Sequence, residues 1–212
     1  MIFRKNKSLS KIISEEKSFW NKESKKSLSH ILRIKKEPFI RELKKKSIWW
    51  HRYISPLYNK IILDVCCGTE DNYIPYLILS KNKLVGVDLS DDTIKINKIL
   101  LDKLRIKSKV LNSNKLINVS KVFNKDKNLK AILVVANAEH LPFEKKQFDI
   151  VHVKWGLHHT QSIPNTLKCI NLSLKKNGWF ICTESNLLFP PRWITQVKFL
   201  RPFNIIRYLA IK

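Results

Sequence analysis

Two carboxylates that each close an apolar run, Asp64 and Asp88, and two adjacent imidazoles, His158 and His159, are the residues whose types and spacing could do chemistry. Asp64 ends the run that begins at Ile61, and the residues from Val65 to Thr69 (VCCGT) are small enough for a ligand to approach the backbone. Asp88 ends the run Leu84 to Val87, and a carboxylate there can accept hydrogen bonds from two neighbouring hydroxyls. His158 and His159 carry groups that titrate near neutral pH and can move protons. Each has a plainer alternative: the acids can cap turns or helices, and the imidazoles can hold backbone carbonyls. The four cysteines, Cys66, Cys67, Cys169 and Cys182, form no CxxC pair, and vicinal cysteines bond to each other only with strain. Neither a disulfide scaffold nor a metal site is expected.

Positioning these residues requires short buried strands separated by helices, and the chain alternates in that way from Ile61 onward. Strands are expected at 61–65, 84–88, 131–136, 148–153 and 179–184, with helices at 72–79, 91–106 and 164–174. Ser90 is suited to cap the second helix, and Asp91 and Asp92 complement the positive end of its dipole. In an open sheet of this kind ligands bind beyond the carboxyl ends of the strands. Asp64 and Asp88 at two such ends together indicate an adenosine-containing ligand, with Asp88 on the ribose hydroxyls.

Outside this core, residues 1–60 carry 17 Lys or Arg against 5 Asp or Glu and read as a basic extension, partly helical between Ile31 and Trp50. Residues up to about 25 are expected to be a solvated arm. Residues 107–130 are polar and longer than an ordinary connection, so they are expected to be a surface insertion. Residues 187–212 form a basic, aromatic segment suited to cover an apolar acceptor or to lie on an anionic membrane. The net charge of +24 fits an anionic partner, membrane or nucleic acid, although Lys accompanied by Ile and Asn also follows from AT-rich coding. No apolar run is long enough to span a membrane or act as a secretory signal, which places the expected location in the cytoplasm.

Four ordered motifs carry a family resemblance: Ile61–Glu70 (IILDVCCGTE), Asn137–Phe143 (NAEHLPF), Gln147–Val151 (QFDIV) with Gly156–Thr160 (GLHHT), and Leu174–Phe180 (LKKNGWF). In these the chain resembles class I S-adenosylmethionine-dependent methyltransferases, especially the branch of ubiquinone and menaquinone biosynthesis. The resemblance implies an α/β, Rossmann-like core over residues 61–186, with a mainly parallel sheet in the order 3-2-1-4-5. It implies S-adenosylmethionine as cofactor. Asp64 and Gly68 would lie by its amino-acid end, Asp88 on the ribose hydroxyls and Asn137 and Ala138 by the adenine, with Cys66, Leu89 and Trp155 also among the cofactor-binding residues. Trp155 and His158 would border the acceptor end, with His158 and His159 the candidates for a proton-accepting role toward a small-molecule acceptor.

The departures from the family carry expectations too. Glu70 stands where a Gly is usual, and its bulk and charge are expected to hinder the cofactor. Asn137 replaces a usual Asp, and its amide oxygen can still accept from the adenine amine. The usual terminal antiparallel strand pair has no clear counterpart, so the fifth strand is expected at an open edge unless the tail covers it, in a shortened protein or a piece of a longer one. Two other functions fit the same residues: a methyltransferase fold that has lost turnover and serves as a binding module, and a nucleic-acid methyltransferase using the basic arm.

Overall fold

Alternate residues of the central strands bury toward opposite faces of one sheet, as strands covered on both sides must. The computed structural model describes residues 8–39, 58–69, 81–184 and 208–211. Its strands are β1 (Ile61–Val65), β2 (Lys83–Asp88), β3 (Ser108–Leu111), β4 (Ala131–Val135), β5 (Phe148–Lys154), β6 (Leu174–Thr183) and β7 (Tyr208–Ile211). Its helices are α1 (Leu9–Arg33), α2 (Asp91–Lys103), α3 (Val119–Lys125) and α4 (Ile163–Ser173). The sheet order is β3-β4-β2-β1-β5-β6-β7, all parallel except β7, which runs antiparallel to β6. The five expected strands all form, and within this order they stand as expected. The fold is the Rossmann-like α/β class anticipated from the motifs.

Ile62, Leu84, Leu133 and Ile150 pack on one face with Ile94, Leu100 and Leu101 of α2 and Ile31 of α1. Leu63, Val85, Ile132 and Val151 pack on the other with Phe123 of α3 and Ile170 of α4. Ser90 caps α2 as expected, its Oγ accepting from Thr93 N at 3.0 Å, and Ser162 caps α4 in the same way through Asn165 N.

Two expectations are corrected, and a third, an open edge unless the tail covers it, is met in its second form. Residues 107–130 are not a surface excursion: β3 extends the sheet by pairing with β4, and α3 buries Val119 and Phe123 beneath it. Four residues, SKVL, at a sheet edge are too few and too polar to announce a strand. The arm expected up to about residue 25 is part of a single 25-residue helix, α1. Its packing side includes Asn21, Ser24 and Ser27 between the apolar residues, which breaks the apolar periodicity that would have revealed it. The edge of β6 is covered, because Phe180 to Thr183 pair with β7. A single antiparallel strand stands there, not a pair, among the described residues. The helix expected at 72–79, the segment 40–57 with Trp49 and Trp50, Glu70, and tail residues 187–207 lie outside the described residues.

Candidate functional site

The carboxyl ends of β1, β2, β4 and β5 open on one cleft of about 580 Å³, a size suited to a small molecule. Asp64 enters it from β1 and is buried, with Oδ1 lying 2.8 Å from Nδ1 of the equally buried His152. The turn that follows is left-handed at Cys66 and Gly68, both with φ of 56°. Cys67 N–H still donates to Val87 O of β2 at 2.9 Å, which carries the β1–β2 pairing into the turn. Gly86 and Gly156 make room for this turn. A Cβ on Gly86 would stand 3.3 Å from Cys67 Sγ, and one on Gly156 only 2.5 Å from Cys66 Cβ. Burial pushes both thiols well above their ordinary range, with Asp88 and Asp64 adding to the effect. That disfavours the thiolate at both positions.

Asp88, at the end of β2, accepts from Gly68 N–H through Oδ2 and from Ser90 N–H through Oδ1, both at 2.9 Å. Each oxygen keeps a second lone pair, so the carboxylate is set to take one hydroxyl on each side. Burial raises its pKa in spite of the Ser90 and Gly68 hydrogen bonds, and the nearby Asp64 charge adds to the rise. The Gly68 carbonyl is held in turn by Asn97 Nδ2 at 2.6 Å.

Opposite, Asn137 and Ala138 line the cleft after β4. The Asn137 amide oxygen already accepts from Glu139 N–H at 2.9 Å, so one of its two lone pairs goes to shaping the loop. Glu139 ties this loop to α4, accepting from Gln161 N–H at 2.7 Å and Ser162 N–H at 3.2 Å. Beyond β5, Lys154 closes the strand with its Nζ 4.7 Å from the Trp155 ring centre, and Trp155 has a φ of 52°. Glu184, just past β6, accepts from Leu157 N–H through Oε1 and meets His158 Nδ1 through Oε2, each at 2.6 Å. His159 packs against the edge of Trp20, ring centres 4.8 Å apart. Burial, and then the neighbouring His158, lower its pKa below the usual imidazole value.

The roof of the cleft is α1. Ile13, Glu16, Trp20, Ser24 and Ser27 recur every three or four residues and face the cleft together. Ser24 meets Thr93 at 2.6 Å in a buried contact, Thr69 donates to Ser27 at 3.0 Å, and Ser90 donates to Asn21 at 2.6 Å.

The cleft wall therefore contains each residue expected to bind the cofactor or accept a proton: Asp64, Cys66, Gly68, Asp88, Leu89, Asn137, Ala138, Trp155, His158 and His159. Glu70 lies outside the described residues. Sequence reasoning missed the α1 stripe, His152, Glu139 and Glu184. Glu139 lay inside a quoted motif and His152 inside an expected strand, but their partners are set by strand register and loop packing. Among the described residues no three His, Cys, Asp or Glu side chains gather as metal ligands.

A family model for a methyltransferase domain matches residues 39–210. The chain belongs to this methyltransferase-domain family. Within the family it is similar to a demethylmenaquinone methyltransferase of Staphylococcus saprophyticus, 32% identical over 58% of this chain and 44% of that one. A demethylmenaquinone methyltransferase of Bacillus cereus is 27% identical over 66% of this chain and 52% of its own length. The chain thus spans about half the length of these methyltransferases. A solved S-adenosylmethionine-dependent methyltransferase of Mesorhizobium loti is similar at 13% identity and a TM-score of 0.44, over 74% of this chain and 56% of that one. No helix among the described residues of this methyltransferase-family chain is long and apolar enough to cross a membrane.

Proposed function

We propose that the cleft binds S-adenosylmethionine and that the protein transfers a methyl group to a small-molecule or lipid-like acceptor. The observation that carries the reading is Asp88, a carboxylate fixed by two backbone N–H groups with a lone pair left on each oxygen. That is the chemistry a ribose diol needs. The remaining donors and acceptors fit the same molecule: the left-handed turn at Gly68 admits a ligand to the backbone, Asp64 offers a carboxylate to an ammonium group, and Asn137 and Ala138 border a flat base.

Bound there, S-adenosylmethionine supplies an electrophilic methyl carbon on a sulfonium. The chain's own work is to hold the acceptor in line with that carbon at roughly 3–3.5 Å and to keep water out. Trp155 and the α1 stripe of Ile13 and Trp20 close the side where His158 and His159 stand. For an acceptor that must lose a proton, His158 is the base, because Glu184 holds its Nδ1 in the arrangement that orients an imidazole. A lipid-like acceptor is in keeping with the demethylmenaquinone methyltransferases that the chain resembles.

Calorimetry with S-adenosylhomocysteine tests the reading, and saturable one-to-one binding is the expected result. A second reading, a methyltransferase fold without turnover that serves as a binding module, is favoured by Glu70 at the usual position of a glycine. It predicts no heat of binding for the native chain and recovered binding in Glu70→Gly.

A further inference from the structure

On either side of His152 strand β5 places valine, and Val151 and Val153 are completely buried. An imidazole between them, itself only 4% exposed, is a polar group in the apolar centre of a parallel sheet. His152 and Asp64 are register partners on neighbouring strands, so their side chains leave the same face, and both reach the cleft. A buried polar pair of this kind gains little over two well-packed apolar side chains, so folding alone gives no reason for it.

The two carboxylates of the cleft are held differently. Asp88 is fixed by backbone N–H groups that no substitution of a side chain removes. Asp64 is held through one oxygen by a side chain, His152 Nδ1 at 2.8 Å. We infer that His152 is a positioning residue, which by donating Nδ1–H to Oδ1 turns Oδ2 of Asp64 into the acceptor for the ammonium group at the cofactor's amino-acid end. This rests on the cofactor reading above.

The test compares two ligands by calorimetry: S-adenosylhomocysteine, and the same thioether with hydrogen in place of the α-amino group. His152→Val copies the neighbouring residues and removes the Nδ1–H donor. It should weaken S-adenosylhomocysteine roughly tenfold or more, the scale of one charge-assisted hydrogen bond, and leave the deaminated ligand within about twofold. His152→Asn keeps an N–H close to the same position and should restore most of the lost affinity. Should the valine variant not fold, His152→Gln, whose amide is displaced by one methylene, takes its place with the same expected ligand difference. Equal losses for both ligands, or valine-variant affinity for S-adenosylhomocysteine matching the native chain, would overturn the inference. Failure of the native chain to bind either ligand overturns the cofactor reading itself, and this inference with it.

Discussion

Asp88 is a carboxylate kept in a setting that disfavours its charge, and the sign of that effect can be followed in two directions. Its pKa is raised chiefly by burial, so in the folded protein it holds its proton to a higher pH than in the unfolded chain. Over that window the folded state binds more protons, and stability from this group falls as pH rises. Ligand affinity should run the other way, since only the ionised carboxylate accepts from both hydroxyls. Calorimetric titration from about pH 7 to about pH 5 should show S-adenosylhomocysteine weakening at a higher pH than an ordinary carboxylate would impose, while this group's contribution to stability grows. Asp88→Ala should lower that affinity by roughly 1.5–3 kcal/mol. Gly156→Ala tests the turn itself. Its new Cβ would stand 2.5 Å from Cys66 Cβ, and two atoms attached directly to backbone cannot rotate apart. A loss of about 1–3 kcal/mol in denaturant unfolding, with weaker ligand binding, is the expected result.

At the scale of elements, α1 is held at two places of different chemistry. Toward its C-terminal end Ile31 is 2% exposed and packs in the core beside α2, with Leu28 against the same cluster. Over the cleft its contacts with α2 and the residue that caps it are polar: Ser24 with Thr93, Asn21 with Ser90, and the ion pairs Lys17–Asp91 and Lys25–Asp92. Exposed ion pairs contribute little, so the buried isoleucine should anchor the roof. Ile31→Ala is expected to cost roughly 2–4 kcal/mol in denaturant unfolding, whereas Lys17→Ala should change it by less than about 1 kcal/mol. If α1 roofs the cofactor, Ile31→Ala should also speed S-adenosylhomocysteine release in stopped-flow measurements, and Lys17→Ala should leave that rate nearly unchanged.

At the scale of the molecule, a chain of net charge +24 surrounds a cleft whose wall includes Asp64, Asp88, Glu139, Glu16 and Glu23. Among the described residues Lys154 is the one Lys or Arg in that wall, so their positive charge lies almost wholly outside the cleft, where it can attract anionic partners over a distance set by salt. Flotation with anionic vesicles should retain the protein at low ionic strength and release it as salt rises. A chain ending at Ser185 should float less if the basic aromatic tail supplies the apolar part of the contact. Equal flotation of the two chains would assign the attraction to charge elsewhere on the surface.

What the sequence determined by itself is the parallel core and the residues at the strand ends that line the cleft. Strands buried on both sides read as continuous apolar runs, and a ligand turn at a strand end must be made of small residues next to an acid. Those signals are local, so Asp64, Gly68 and Asp88 could be found without coordinates. The tertiary structure alone decided the rest. The register of β1 on β5 brought His152 to Asp64, and the approach of the β5 and β6 ends brought Glu184 to His158. Packing against α2 turned a Ser- and Lys-rich stretch into the helix that roofs the cleft, and pairing with β4 turned four residues of an apparent insertion into an edge strand. In each case the partner lies far away in sequence and the contact is polar or at an edge, where hydrophobic periodicity carries no information.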